Sequence, residues 1–432
     1  MIEIIEYSNL EKPARLEKIL RRAEWFDVQI EQSVRSILAD VKKNGDQAVL
    51  KYTAKWDGVS LTADELQVSD TELATASSII AKELLSAIRQ ASENIRNYHE
   101  HQKPASWQYQ LDEDAWLGEQ VVPIERVGIY VPGGKAGYFS TVLMTAIPAK
   151  VAGVEKLVMI TPPCEEGISP AILVAAQEAG VDEIFKVGGA QGIAALAYGT
   201  DTIPKVDKIV GPGNIYVTTA KKLVFGTVGI DSLAGPSEVV VVADNSANPQ
   251  QVAAELLAQA EHDEMAMAIC ITTSPLLAEA VNKEMTTLIK KLNRREIIEL
   301  SLQEWGTIII VPDLEKAIWL ANEIAPEHLV LMLEDSSTLV KQIKNAGAIF
   351  LGSFSPVAVG DYFAGPSHVL PTAGTSRFSS RLGVDDFIKK ISLVEYSAEY
   401  LHRYENQITT LARAENLQAH AQSVKIRCSN KK

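Results

Sequence analysis

Four short constellations carry the residue types from which chemistry is built. Gln259 and His262 stand three positions apart at the end of a segment that starts at Pro249 and repeats Val252, Leu256, Leu257 and Ala260 at helical spacing. That interval puts an amide and an imidazole on one helical face, one turn apart, where both can converge on one ion. Solvated polar side chains on a surface helix have the same pattern. Ala325-Pro326-Glu327-His328 lies between the helical stretch DLEKAIWLANEI and the strand-like LVLML. The proline ends the helix, and the turn sets a carboxylate beside an imidazole, two proton carriers with separable duties. A helix-terminating turn with an exposed Glu and a His bonded to a backbone carbonyl reads the same way. In GDYFAGPSHVLPT, Asp361 and His368 stand among small and apolar residues, which favours a loop lining a cavity. Glu415 and His420 are five apart, share no tight helical face, and by themselves read as surface residues.

Two glycine-rich stretches bear on nucleotide binding. Gly211-Pro212-Gly213-Asn214 follows DKIV and precedes a helical segment, but Tyr216 stands where a third glycine would complete the dinucleotide fingerprint. Gly188-Gly189-Ala190-Gln191-Gly192 follows EIFKV with another spacing. Both therefore fit tight strand-to-helix turns as well as phosphate cradles.

Elements that could position these groups follow from the periodicity. From Arg126 the runs VGIYV, KLVMIT, EIFKV and DKIV alternate with helical segments near 141–153, 169–180, 191–198 and 214–225. A second set, EVVVVAD, AICITT, TIIIVPD, LVLML and AIFLG, repeats the plan. Alternation of this kind means parallel strands with crossover helices. Residues from about Leu10 to Gln102 read as amphipathic helices, with Ile19, Leu20, Ile30, Val34, Ile37, Leu38 and Val41 on recurring faces. His99 and His101 fall in the polar NYHEHQKPA and read as solvated loop residues. After Pro371, Ser/Thr/Gly-rich text leads to a charged tail read as helical, whose Leu393, Val394, Leu401, Ile408, Leu411 and Leu417 cover only a narrow face and need a larger body to pack on.

Composition narrows the function classes. At 432 residues the chain exceeds one ordinary core. A formal charge of −14 argues against nucleic acid and anionic membranes as partners. Cys164, Cys270 and Cys428 are too few and too scattered for a disulfide framework or a metal knuckle, which fits the cytoplasm. The N-terminal stretch lacks a signal-like apolar region, and no run is long enough to span a bilayer.

The run LAGPSEVVVVAD followed by ELLAQAEHD closely resembles the signature of the histidinol dehydrogenase family. RVGIYVPGG, VGGAQGIAALAYGT, VGPGNIYV, NEIAPEHL, GDYFAGPSHVLPT and RAENLQAHAQSV extend the likeness from Arg126 to Val424. The resemblance implies an α/β fold of two incomplete Rossmann-like domains with a helical N-terminal region and a small helical C-terminal tail. The expected divisions are 1–125, 126–238, 239–372 and 373–432, the last packed on a partner subunit. It implies NAD-dependent, zinc-assisted oxidation of L-histidinol to L-histidine through the aldehyde, in a homodimer with a shared active site. Glu327 and His328 are then the catalytic pair, and Gln259, His262, Asp361 and His420 the ligands of one Zn2+ per subunit. These four with His328, Ser237, His368 and Glu415 are expected to bind substrate, and Tyr130, Gln191 and Asn214 to bind NAD.

The residues leave two rivals, a zinc hydrolase using the same donors on water and a non-catalytic metal-tied dimer. A cysteine thiohemiacetal route has poor candidates in all three thiols. Because a complete phosphate-cradling fingerprint is missing, NAD should bind modestly; calorimetric titration of the zinc-loaded protein yielding a nanomolar Kd would contradict this.

Overall fold

The computed structural model of the protein describes residues 2–8, 12–22, 27–113, 115–133 and 137–429. Leu10, where the helical region was expected to start, lies outside them. Chain contacts separate two compact units, 1–102 with 125–387, and 103–124 with 388–432.

In chain order the strands are β1 (Glu3–Glu6), β2 (Trp107–Asp112), β3 (Ala115–Pro123), β4 (Arg126–Tyr130) and β5 (Lys156–Thr161). There follow β6 (Glu183–Lys186), β7 (Lys208–Val210), β8 (Gly229–Ile230), β9 (Glu238–Ala243) and β10 (Met267–Thr272). The last are β11 (Thr307–Ile310), β12 (His328–Met332), β13 (Ala348–Leu351) and β14 (Ile388–Tyr396).

Among the described residues the first unit holds two parallel sheets, ordered β6-β5-β4-β7-β8 and β1-β11-β10-β9-β12-β13. Counted from their own first long strands, β4 and β9, both run third, second, first, fourth, fifth, the order of a Rossmann sheet that stops short of its sixth strand. The expected α/β plan with paired halves is what the chain builds. Helices Phe139–Ala152, Pro170–Ala179, Gly189–Tyr198 and Ile215–Val224 alternate with the strands of the first sheet, close to the intervals read from periodicity.

The VVVV run in β9 has a simple cause. Val239, Val241 and Ala243 pack into one core cluster, while Val240 and Val242 pack into the cluster on the opposite face. A strand covered on both sides needs no polar alternation. Each fully buried Val contributes about 1.5–3 kcal/mol relative to exposure.

Two parts of the chain depart from the expected elements. β1, ahead of the helical N-terminal region, completes the six-stranded sheet by pairing in parallel with β11. In the second unit, β14 pairs antiparallel with β3, and β3 with β2. The segment IKKISLVEY is thus a strand where the tail was read as helical; the helices Ala398–Ala414 and Gln418–Ser429 follow it as expected. β2 carried a visible period of two in Trp107, Tyr109 and Leu111, all exposed along this strand.

His99 corrects another expectation. It sits inside helix Lys82–Glu100, fully buried, and its Nδ1–H donates to the Ile95 carbonyl at 2.8 Å. Burial pulls its pKa down to about 4. Between pH 6.5 and 4 the unfolded chain therefore takes a proton that the folded chain refuses, and stability falls as pH falls through that window. Urea unfolding at pH 7 and pH 4.5 should show the parent losing about 2 kcal/mol more than His99→Leu; equal losses would mean that the ring is not held neutral.

Candidate active site

The site is built around the main chain of one residue. Glu238 opens β9, and its backbone N–H donates to Glu327 Oε2 at 2.8 Å. Its carbonyl accepts the Nδ1–H of His328 at 2.9 Å. Both partners hang at the start of β12, which pairs in parallel with β9 through His328 opposite Val239. The turn before them is tight: Ala325 caps helix Leu314–Ile324 at φ 51°, and Pro326 prevents the helix from continuing.

A carbonyl can only accept, so Nδ1 of His328 carries a hydrogen and proton exchange is left to Nε2. That atom is buried and makes no hydrogen bond; Asp361 Oδ1 stands 3.6 Å away, too far to bond yet close enough to attract charge. Burial raises the Glu327 carboxyl to about 8. Burial would lower His328, but the carboxylates of Glu327 and Asp361 more than offset it and raise the imidazole to about 9. The two groups titrate as a linked pair: the carboxyl moves up toward the neutral range and the imidazole above it, so Nε2 accepts a proton only where the ring is neutral.

The glutamate side chain below this peptide is itself anchored. Arg22 grips Glu238 with two parallel bonds, Nε to Oε1 at 2.5 Å and Nη2 to Oε2 at 2.8 Å, and the Ala373 N–H donates to Oε1 at 3.0 Å. Both charged side chains are nearly inaccessible, 8% and 4% exposed. Neither Arg22 nor Glu238 was singled out in the sequence, because a Glu at the head of a valine run reads as the solvated end of a strand.

Asp361 lies on the short helix Val357–Tyr362, and its own carbonyl accepts Nδ1–H of His368 at 2.9 Å, while His368 Nε2 meets Thr141 Oγ1 at 3.3 Å. Burial raises the Asp361 carboxyl, but His328 and the neighbouring imidazoles of His368 and His262 outweigh that and keep it below the usual carboxylate range. Burial holds His262 and His368 below the usual imidazole value. Gln259 is buried within helix Pro249–Ala260, its Nε2 lacking any partner, and His262 follows it at the exposed end. Glu255, one turn earlier, accepts the Val357 N–H and feels both Asp361 and His328; no sequence motif had marked it. Ser237, half-buried, immediately precedes the anchoring peptide of Glu238.

The structure thus gathers His262, Glu327 and His368 within electrostatic reach of Asp361 and His328, with Gln259 on the same helix as Glu255. Glu415 and His420 lie in the second unit, both exposed, Glu415 at the end of helix Ala398–Ala414 and His420 on helix Gln418–Ser429.

Part of the donor set expected for a zinc ion meets in the first unit. Among the described residues no three His, Cys, Asp or Glu side chains form a metal-holding group. The first unit offers two such donors from the expected set, His262 and Asp361, plus the Gln259 amide. Their chemistry fits: a neutral imidazole and an ionised carboxylate are the forms that ligate, and an amide ligates through its oxygen. A fourth donor has to come from elsewhere.

The expected dinucleotide residues occupy the other sheet. Tyr130 ends β4, buried, and its hydroxyl accepts the Gly189 N–H at 3.4 Å. Gln191, 1% exposed, has neither amide atom bonded. Asn214 is exposed and caps helix Ile215–Val224, its Oδ1 accepting from Tyr216 and Val217. The loop before it is clamped from beneath: buried Lys221 bonds Asp231 and the Gly211 carbonyl, and the Gly211 N–H returns to Asp231 Oδ2. Of the cysteines, Cys270 and Cys428 are buried, burial driving Cys270 up to about 12, and the exposed Cys164 Sγ–H donates to Gly167 O.

Comparison with known proteins then decides the family. The histidinol dehydrogenase family model matches residues 20–428. The chain belongs to the histidinol dehydrogenase family. It is 53% identical over 430 residues to the histidinol dehydrogenase of Synechococcus sp., with 99% of each chain covered. To that of Listeria monocytogenes it is 52% identical over 400 residues, 93% of each. The crystal structure of the Elizabethkingia anophelis histidinol dehydrogenase superposes with a TM-score of 0.93 at 38% identity, covering 99% of both chains.

Removing one partner of the Arg22–Glu238 pair strands a buried charge. Arg22→Met should cost about 3 kcal/mol of unfolding free energy, and adding Glu238→Gln should recover part of it; chemical denaturation of the single and double variants reads both. A double variant no more stable than Arg22→Met would disprove the pairing.

Proposed function

We propose that the protein oxidises L-histidinol to L-histidine through L-histidinaldehyde, reducing two NAD and consuming one water, in the final steps of histidine biosynthesis. The observation that carries this reading is the Glu238 peptide, which holds Glu327 and His328 together and leaves Nε2 of His328 bare beside Asp361.

In this reading His328 takes the hydroxyl proton of histidinol at Nε2 as the first hydride departs. Glu327 then takes a proton from the water that adds to the aldehyde. His328, having released its proton to solvent, accepts another from the hydrate as the second hydride leaves. Its Nδ1–H bond to the Glu238 carbonyl persists throughout, so the ring keeps one orientation in both oxidations. NAD, held by Tyr130, Gln191 and Asn214, supplies the hydride acceptor. Gln259, His262, Asp361 and His420 would hold zinc, which contributes Lewis acidity without redox change. Ser237, His368 and Glu415 join the ligand set in binding substrate, Glu415 suiting a cationic or N–H-donating group.

A homodimer with shared sites completes the proposal. It is supported by the exposure of Glu415 and His420 and by apolar residues left open in the second unit, among them Val394 and Leu411 at 69% and 70% exposure. Three reduced cysteines suit a cytoplasmic setting.

NADH absorbance should rise on adding L-histidinol, vanish after chelation and return with zinc; turnover unaffected by a chelator would remove the metal from the scheme. His328→Asn should slow alcohol and aldehyde oxidation alike, whereas Glu327→Gln should mainly impair the aldehyde step; equal losses for the Glu327 variant would contradict the division of labour. If His420 acts across the interface, mixing inactive His328→Asn and His420→Asn protomers restores about a quarter of the sites, because half of a random mixture is heterodimer with one intact site in two. No recovery after proven subunit exchange would place both residues in one protomer's site.

A further inference from the structure

The C-terminal edge of the five-stranded sheet holds buried polar atoms that the fold leaves unpaired. Thr161 Oγ1 at the end of β5, both amide atoms of Gln191, and Oδ2 of Asp57 make no hydrogen bond. Thr161 and Gln191 are 0% and 1% exposed. An unmet buried polar atom is costly, and several at the carboxyl ends of parallel strands mark a place where a ligand supplies the partners.

Asp57 arrives there from far away in sequence. It caps the C-terminus of helix Val28–Trp56, and its carboxylate accepts the Gly188 N–H in the turn after β6. That turn is packed to its limit: a Cβ on Gly188 would lie 2.5 Å from Pro162, and one on Gly189, at φ 59°, 2.6 Å from Gln191 Oε1. With the Tyr130 hydroxyl taking the Gly189 N–H, Asp57, Tyr130 and Gln191 all converge on one turn.

The chemistry of this turn differs from that of a phosphate cradle. Its two N–H groups, which would otherwise meet a phosphate, already face a carboxylate and a phenol oxygen. Burial raises Asp57 to about 6, so it is ionised at neutral pH. A negative, partly desolvated acceptor repels a phosphate and suits a vicinal diol, which donates two hydrogen bonds to it.

Strand order indicates which sugar. The helix following β4 carries Thr141, bonded to His368 of the reacting cluster. The Asp57 turn follows β6, two strands away from β4 and so about 10 Å to the side. With the nicotinamide at His328, the ribose near β6 belongs to the adenosine half.

We propose that Asp57 accepts the hydroxyls of the adenosine ribose of NAD and thereby excludes the 2′-phosphorylated dinucleotide, NADP. The proposal rests on the dinucleotide reading above and adds the residue that sets its selectivity.

Titration calorimetry of the purified zinc-loaded protein with NAD and with NADP tests it without any turnover. The parent protein should bind NAD at least tenfold more tightly than NADP. Asp57→Asn keeps an oxygen for the Gly188 N–H but loses the charge; NAD affinity should fall about tenfold and the two dinucleotides should come within about threefold of each other. Equal affinities in the parent, or an NAD preference unchanged in a folded Asp57→Asn protein, overturn the assignment while leaving the dinucleotide reading intact. A parent that binds neither dinucleotide overturns both.

Discussion

The site depends on two hydrogen bonds to the main chain of one residue, in the two peptide groups that flank its Cα. The N–H and C=O of Glu238 point from β9 toward β12, and each is taken by a neighbouring side chain, Glu327 on one and His328 on the other. Because both bonds run to main chain inside a parallel pair, the separation of the two acid–base groups is set by sheet register rather than by rotamer choice. The Arg22 fork and the Ala373 N–H immobilise the Glu238 side chain, so the peptide cannot rotate away without breaking a buried ion pair.

The two sheets use opposite ends. Tyr130, the Gly188 turn and the Gly211 turn sit at the carboxyl edge of the first sheet, the usual place for ligands in an open α/β layer. Glu238, Glu327 and His328 open their strands, at the amino edge of the second. The halves repeat a strand order without repeating its use, and within the first unit they are joined by bonds such as Thr141 to His368, Thr218 to the Ala234 carbonyl, and the Gly235 N–H to Thr372.

Much of this was readable in advance, for physical reasons. Strands covered on both faces announce themselves as unbroken apolar runs, and helices between them by Gly and Pro punctuation, so both α/β halves were visible. The Glu327–His328 turn was visible because Pro326 fixes where the helix stops. What escaped was long-range pairing. Arg22 meets Glu238 across 216 positions, Asp57 meets Gly188 across four α-helices and five strands, and β1 finds β11 some three hundred residues on; no local period encodes such meetings. His99 escaped for the opposite reason: its neighbours are polar, but they lie on the other faces of its helix.

The Glu238 clasp has an evolutionary corollary. Main-chain atoms are shared by nearly every amino acid, so the contacts to Glu327 and His328 do not depend on the identity of residue 238, whereas the carboxylate that neutralises buried Arg22 does. Only proline, which has no N–H to give, would abolish one of them outright. Most single-letter changes at position 238 would therefore act through the stranded Arg22 charge rather than through a lost bond to the pair proposed to carry the protons.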